Sequence, residues 1–265
     1  MAYGRIFSVA VMAVLLTKTS LAADLFTPPS SAYLPPVTPV TSGWYLRGFI
    51  GASNEFLSNV SHPDLLRAQQ LVFLDKGGFD SAPFGGGGIG YQWNNWLRTD
   101  AMVEFRGAAG FHALDRFFNP GLLPAPGFTT SQFTASKAEL VALANTYLDL
   151  GTWWCVTPFI GGGMGAARIK IDHFRDVNVI AGTGNWADTG TKTNFAWSLQ
   201  AGVAYKVNPN FAIELSYRYL NLGDAESGLL VNLDPTFVPV TPLAPVTFHK
   251  IQSNDIILGA RWLMQ

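Results

Sequence analysis

Residues 195–219 alternate between apolar and polar side chains with a period of two. The apolar positions of the first run are Phe195, Trp197, Leu199, Ala201, Val203, Tyr205 and Val207. After the short turn Asn208-Pro209-Asn210, the pattern returns in Phe211, Ile213, Leu215, Tyr217 and Tyr219. A strand places successive side chains on opposite faces, and both runs are long enough for a tilted strand across a bilayer. The two runs therefore predict a transmembrane hairpin.

Similar alternation elsewhere brings the prediction to eight strands. They are Gly43–Ala52, Pro83–Trp93, Trp96–Ala108, Lys137–Leu150, Val156–Ile171, 195–207, 211–219 and Ser253–Met264. The connections alternate between short turns and four long loops, which are Ser53–Ala82, Gly107–Ser136, Asp172–Thr191 and Gly223–Gln252. Short periplasmic turns and long external loops are typical of outer-membrane barrels. The sequence therefore predicts an all-β fold, an eight-stranded antiparallel transmembrane β-barrel over residues 43–265.

The N-terminal residues predict export from the cytoplasm. Arg5 precedes an apolar run, Ile6–Leu16, and Ser20-Leu21-Ala22 fits a cleavage site, so residues 1–22 read as a signal peptide cut after residue 22 or 23. The run is too short for an anchoring helix. Residues 23–42 are rich in proline, which predicts an extended periplasmic leader.

Composition favours a membrane barrel over a soluble domain. Only 13% of the residues are charged, about half the usual share in soluble proteins. The net charge of −1 gives no support to nucleic-acid binding. The single cysteine, Cys155, excludes an intramolecular disulfide framework.

Charges of both signs occupy the polar faces of the predicted strands. They are Arg47, Arg98, Asp100, Glu104, Arg106, Glu214, Arg218, Asp255 and Arg261. Charge on the lipid face of a barrel costs about 2–4 kcal/mol near the midplane, so these side chains are expected to point into the lumen. There they form either a network that fills the barrel or the lining of a narrow ion path.

Aromatic side chains gather near the short turns. They are Trp44, Trp93, Trp96, Trp153, Trp154, Tyr205 and Trp262. Such residues are enriched at membrane–water interfaces, so the sequence predicts an aromatic girdle at that end of the barrel.

The sequence predicts no catalytic residue, cofactor site or metal site. Two glycine runs, Gly85–Gly90 and Gly161–Ala166, match a dinucleotide spacing but lack the helix that must follow it. All four histidines fall in predicted external loops without metal spacing, so exposed loop side chains are expected, and a shared metal or haem site is the alternative. His249 and Ser253 are too far apart for the H-x-S pattern of barrel deacylases, and a hydrolase would also need a carboxylate.

Several segments together resemble a known family. They are the proline-rich leader, Gly43-Trp44-Tyr45-Leu46-Arg47-Gly48, Gly88-Ile89-Gly90-Tyr91, the run from Tyr147 to Trp153, Thr157-Pro158-Phe159-Ile160-Gly161 and the run from Glu214 to Leu220. In order and spacing they resemble the small porin-like outer-membrane proteins of alphaproteobacteria, including the outer-membrane immunogenic and RopB-type proteins. This resemblance implies a barrel like the membrane domain of OmpA, in the bacterial outer membrane.

The resemblance also implies a function: a non-enzymatic surface protein that supports envelope integrity and surface interaction. The first alternative is a narrow, low-conductance porin, and the second is a receptor whose loops bind haem or a host ligand. The expected partners are outer-membrane lipid, lipopolysaccharide, the barrel-insertion machinery, and surface or host ligands of the external loops. No nucleic acid is expected.

Overall fold

The computed structural model of the protein describes residues 42–62, 69–122, 124–232 and 244–264. Within these ranges it contains eleven strands: β1 Gly43–Phe56, β2 Asn59–Ser61, β3 Gln69–Phe79, β4 Pro83–Gln92, β5 Leu97–Asn119, β6 Gly127–Asp149, β7 Val156–Asn178, β8 Thr183–Ala187, β9 Gly190–Asn208, β10 Phe211–Asn232 and β11 Pro245–Leu263. No helix among the described residues is long and apolar enough to cross a membrane. The predicted signal peptide and residues 23–41 of the predicted leader lie outside the described residues.

Eight of these strands form a closed antiparallel ring in the order β1, β4, β5, β6, β7, β9, β10, β11. The ring closes where β1 pairs with β11, from Tyr45 opposite Leu263 to Phe56 opposite Gln252. The predicted eight-stranded antiparallel barrel is therefore confirmed.

The register of the ring determines how narrow the barrel is. Successive partners lead once around it through Trp44, Tyr91, Thr99, Thr146, Gly162, Leu199, Tyr219, Asn254 and Asn54. The path returns to β1 at Asn54 after starting at Trp44, an offset of ten residues. Such a stagger accompanies a strand tilt of about 35–45°, and eight strands then enclose a space that side chains can fill.

The strands extend further than the alternation predicted. Most of the predicted loop Gly107–Ser136 belongs to β5 and β6, which pair as far as Asn119 and Gly127. In other predicted loops β3 pairs with β5, β2 with β11, and β8 with both β7 and β10. The glycines and alanines at 107–110 interrupt the apolar pattern, although burial resumes its alternation at Phe111 and Ala113. The sheet therefore extends beyond the outer end of the predicted membrane span. We call this extension the external storey; it comprises β2, β3, β8 and the outer parts of β5, β6, β7, β10 and β11.

Inward-facing glycines make room for large inward-facing rings. A Cβ atom at Gly90 would lie 2.3 Å from the Tyr45 ring, and one at Gly161 would lie 2.5 Å from the Tyr147 ring. Both distances are far below van der Waals contact. These glycines therefore leave the space that the Tyr45 and Tyr147 rings occupy inside the barrel.

Candidate functional site

The half of the lumen nearest the short turns contains a cluster of ion pairs around one carboxylate. We call it the Glu214 cluster; its members are Arg47, Arg98, Asp100, Asp149, Glu214 and Arg261. The Glu214 carboxylate lies 3.3 Å from Arg47 Nε, 3.2 Å from Arg98 Nη1 and 3.1 Å from Arg261 Nε. Arg47 also contacts Asp100 at 3.4 Å, and Arg98 contacts Asp149 at 3.1 Å. Three arginines and three carboxylates thus neutralise one another.

Aromatic rings complete the surroundings of these arginines. The Arg98 guanidinium lies 4.3 Å from the centroid of the Tyr147 ring and 4.6 Å from that of Phe159. The Tyr147 hydroxyl accepts a hydrogen bond from Arg47. A planar guanidinium can pair with carboxylates through its N–H groups and at the same time stack on aromatic rings through its faces.

A second cluster lies further along the lumen, around one arginine. We call it the Arg106 cluster; its members are Glu55, Glu104, Arg106, Lys137, Glu139, Arg218 and Asp255. Arg106 contacts four carboxylates: Glu139 and Asp255 at 2.8 Å, Glu104 at 3.1 Å and Glu55 at 3.4 Å. Arg218 also pairs with Glu104 and Asp255, and Lys137 pairs with Glu55 and Glu139. Every carboxylate of this cluster therefore contacts two cations.

An apolar layer lies in the lumen beyond the Arg106 cluster. We call it the phenylalanine layer; it comprises Phe79, Phe111, Phe133, Phe174 and Phe248, all buried. Neighbouring ring centroids are 5.1–6.3 Å apart, which is the range of favourable aromatic contacts. Lys137 Nζ lies 4.8 Å from the Phe79 ring centroid and so connects this layer with the Arg106 cluster.

The structure places all nine predicted lumen charges in the interior, where each is at most 7% exposed. Four further members of the two clusters were not among the predicted lumen charges: Glu55, Lys137, Glu139 and Asp149, of which Asp149 was expected on the polar face of its strand. Glu55 and Lys137 lie at or beyond the predicted strand ends, and parity along the longer observed strands would have found them.

The seven residues of the predicted girdle are exposed at the turn end of the barrel, and Trp154 is 97% exposed. The Trp44 and Trp93 rings both contact Tyr91, with centroids 5.2 and 4.9 Å away. Cys155 is exposed in the adjoining turn.

A groove of about 1010 Å³ crosses the outer wall near this end. Its lining includes the small residues Ala101, Ala144 and Gly162 and the aromatic residues Trp44 and Trp197. Small outward-facing residues between large aromatic side chains therefore form an apolar groove on the outer surface of the barrel.

The structure corrects the predicted positions of the histidines. His112, His173 and His249 lie within β5, β7 and β11, and only His62 lies in a connection. The His112 imidazole pairs with Asp80 at 3.6 Å. His249 lies between two side chains: its Nε2 is 2.8 Å from the Ser61 hydroxyl, and its Nδ1 is 3.5 Å from Asp224 Oδ2. Sequence reasoning named His249 but not these two partners.

Near the outer end of the barrel, burial raises the pKa of Asp115 to about 6. The Ser131 backbone N–H donates to this carboxylate at 3.0 Å and lowers the pKa, while Asp176 raises it.

Residues 32–237 match the family model described as outer membrane protein beta-barrel domain. An uncharacterised protein of Brucella abortus is 29% identical over 225 residues, which cover 78% of each chain. The 31 kDa outer-membrane immunogenic protein of Brucella melitensis is 24% identical over 253 residues, covering 92% of this chain and 95% of the relative. The solved structure of the outer membrane protein OprG from Pseudomonas aeruginosa aligns with a TM-score of 0.46 and 13% identity, over 84% of this chain and 98% of that one. This chain belongs to the outer-membrane β-barrel domain family, and its place is the bacterial outer membrane.

Proposed function

We propose that the protein is a closed barrel that supports the outer membrane and presents its external storey to surface ligands, without conducting ions. The observation that carries this proposal is the continuous filling of the lumen. The Glu214 cluster, the Arg106 cluster and the phenylalanine layer follow one another along the axis. An ion entering this lumen would have to separate buried ion pairs and then cross a layer of rings, and both steps are costly.

Single-channel conductance in a planar bilayer tests the closed lumen. The refolded mature chain is expected to give no current steps, provided that an unboiled gel of the same sample shows the faster-migrating folded form. Reproducible steps of one size from folded protein would make it a porin, with the same charges as its selectivity lining.

The proposed surface role is supported by apolar residues at the outer end. Val179 and Ile180, between β7 and β8, are 77% and 60% exposed, and Leu74 on β3 is 53% exposed. Exposed apolar side chains at a strand tip favour contact with a protein or lipid partner. Replacing Val179 and Ile180 with serine should weaken adhesion of the bacteria to host cells and leave folding unchanged. Unchanged adhesion would remove this tip from the proposal.

A lipid partner is expected at the outer edge of the predicted span, which faces lipopolysaccharide. Arg168 is exposed on the outward side of β7, two residues above Ala166, at the outer edge of the predicted span. We infer that Arg168 contacts a lipid phosphate at this edge. Arg168→Gln should weaken retention of lipopolysaccharide during purification; equal retention by this variant would contradict the contact.

A further inference from the structure

Three side chains of chemically complementary types meet on the outward side of the external storey. The Ser61 hydroxyl lies 2.8 Å from His249 Nε2, and the other ring nitrogen lies 3.5 Å from Asp224 Oδ2. Ser61 lies on β2, Asp224 on β10 and His249 on β11. A nucleophile within hydrogen-bond reach of a base that a third group orients is the arrangement by which serine hydrolases are recognised on unrelated folds.

The backbone around these residues is irregular in a way that brings them together. The pairing of β10 with β11 shifts register on both sides of Gly223, so Asp224 lies in a bulge. Lys250 opposite adopts a left-handed φ of 52°, and its N–H donates to Asp224 Oδ1 at 2.8 Å. Bulges are common beside active sites because they redirect a side chain.

The serine is positioned by a separate contact. β2 pairs with β11 from Asn59 opposite His249 to Ser61 opposite Thr247. Just before β2, both the backbone N–H and the hydroxyl of Ser58 donate to the His249 carbonyl, at 2.9 and 3.1 Å. The short strand β2 thus holds Ser61 beside the imidazole.

We propose that Ser61, His249 and Asp224 form a hydrolytic triad that cleaves carboxylic esters at the outer surface. This activity goes beyond the role proposed for the closed barrel. Asp224 favours the tautomer with the proton on Nδ1, which leaves Nε2 free to accept the Ser61 proton. Ser61 Oγ then bonds to the ester carbonyl carbon while His249 takes the hydroxyl proton. When the ester C–O bond breaks, the alcohol leaves with that proton, and Ser61 holds the acyl group.

Water completes the cycle. His249 removes a proton from a water molecule, whose oxygen bonds to the acyl carbon. The bond to Ser61 Oγ breaks, His249 returns the proton to Oγ, and the acid is released. The overall reaction consumes one ester and one water and produces one alcohol and one carboxylic acid.

The position of the three residues indicates the kind of ester. His249 and Asp224 side chains are 36% and 37% exposed, so substrate can reach them from water. Asp224 follows Tyr219 by five residues, about 16 Å along the strand beyond the outer edge of the predicted span. Esters with short acyl groups fit this exposed wall better than the long chains of lipids buried in the bilayer.

A fluorophosphonate probe and p-nitrophenyl acetate test the triad on the refolded mature chain. The probe should label Ser61, located by mass spectrometry, and the chain should hydrolyse the ester. Ser61→Ala should abolish labelling, and His249→Ala should lower the hydrolysis rate at least about 100-fold. Asp224→Asn should lower the rate strongly, whereas Asp224→Glu should restore part of it, which a purely structural role would not require.

His112→Ala provides the matched control, because His112 also pairs with an aspartate but is not part of the triad. It should leave labelling and hydrolysis unchanged. Folding of each variant is checked by its shift on an unboiled gel. A folded wild-type chain without labelling or hydrolysis would overturn the proposal, and so would labelling that persists in Ser61→Ala.

Discussion

The two ionic clusters of the lumen are built with opposite polarity. In one, the carboxylate of Glu214 lies between three guanidinium groups. In the other, the Arg106 guanidinium lies among four carboxylates. A narrow barrel can therefore be filled by charged side chains in two ways. Removing the central carboxylate leaves an excess of positive charge, whereas removing the central guanidinium leaves an excess of negative charge.

The clusters also differ in how many ion pairs their other members keep when the central residue is removed. Without Glu214, Arg47 retains Asp100 and Arg98 retains Asp149, but Arg261 has no other ion pair within the described residues. Without Arg106, each of the four carboxylates still contacts Arg218 or Lys137. The Glu214 cluster is thus more dependent on its centre than the Arg106 cluster.

The largest effect is expected from Glu214→Gln. The change keeps the shape of the side chain and leaves Arg261 as a buried charge without an ionised partner. Breaking a buried pair in this way costs about 3–5 kcal/mol of the free energy of unfolding. Urea unfolding in lipid vesicles measures it. Glu226→Gln is the control, since the pair of Glu226 with Lys192 is partly exposed and should matter by less than about 1 kcal/mol.

Arg106→Met is expected to have the next largest effect, about 3 kcal/mol at neutral pH. Each carboxylate still contacts one cation, but the four carboxylates then share only Lys137 and Arg218, so the negative charge of the cluster increases. Arg116→Met, in the outer part of β5, replaces a guanidinium that lies over the Phe128 ring and should change stability little. If Arg106→Met lowers the free energy of unfolding no more than this control does, the Arg106 cluster does not depend on Arg106.

A smaller effect is expected from Phe248→Leu in the phenylalanine layer. The Phe248 ring contacts Phe79, Phe111 and Phe174. Leucine preserves an apolar side chain but loses ring contacts, at about 1–2 kcal/mol. The variant should remain silent in a planar bilayer, because both ionic clusters are intact. If this variant gives current steps and wild type does not, the phenylalanine rings rather than the ionic clusters close the lumen.

The smallest effect is expected from Asp115→Asn, and it should depend on pH. The pKa of Asp115 is raised from 3.8 to about 6, so the folded state binds a proton more tightly than the unfolded state. This carboxyl therefore destabilises the fold increasingly as pH rises from about 4 to about 6. The unfolding temperature of wild type, relative to that of Asp115→Asn, should fall over this window. A difference that stays constant with pH would contradict the shift.

The sequence predicted the ring because alternation is a local property of each strand. It predicted all eight ring strands, and it placed the nine lumen charges on one parity. Lys137, Glu139 and Asp149 lie within the predicted strand Lys137–Leu150 but were not included among the predicted lumen charges. Glu55 was missed because glycine, alanine and polar residues obscured the outer parts of the strands. Their continuation depends on pairing with distant partners, which a single strand does not reveal.

The arrangement of Ser61, His249 and Asp224 was beyond sequence reasoning for a different reason. More than 160 residues separate Ser61 from the other two. They meet only because β2 adds to the edge of β11 and a bulge redirects Asp224. No spacing motif encodes such a meeting, since it results from the closed ring and its irregular outer storey.

The most direct measurement is urea unfolding of Glu214→Gln and Arg106→Met in lipid vesicles at a series of pH values from 8 to 5. Carboxylates left in excess can bind protons, whereas arginines keep their charge throughout this range. Relative to wild type, Arg106→Met should recover stability as the pH falls, and Glu214→Gln should not. The same pH response in both variants would contradict the opposite polarity of the two clusters.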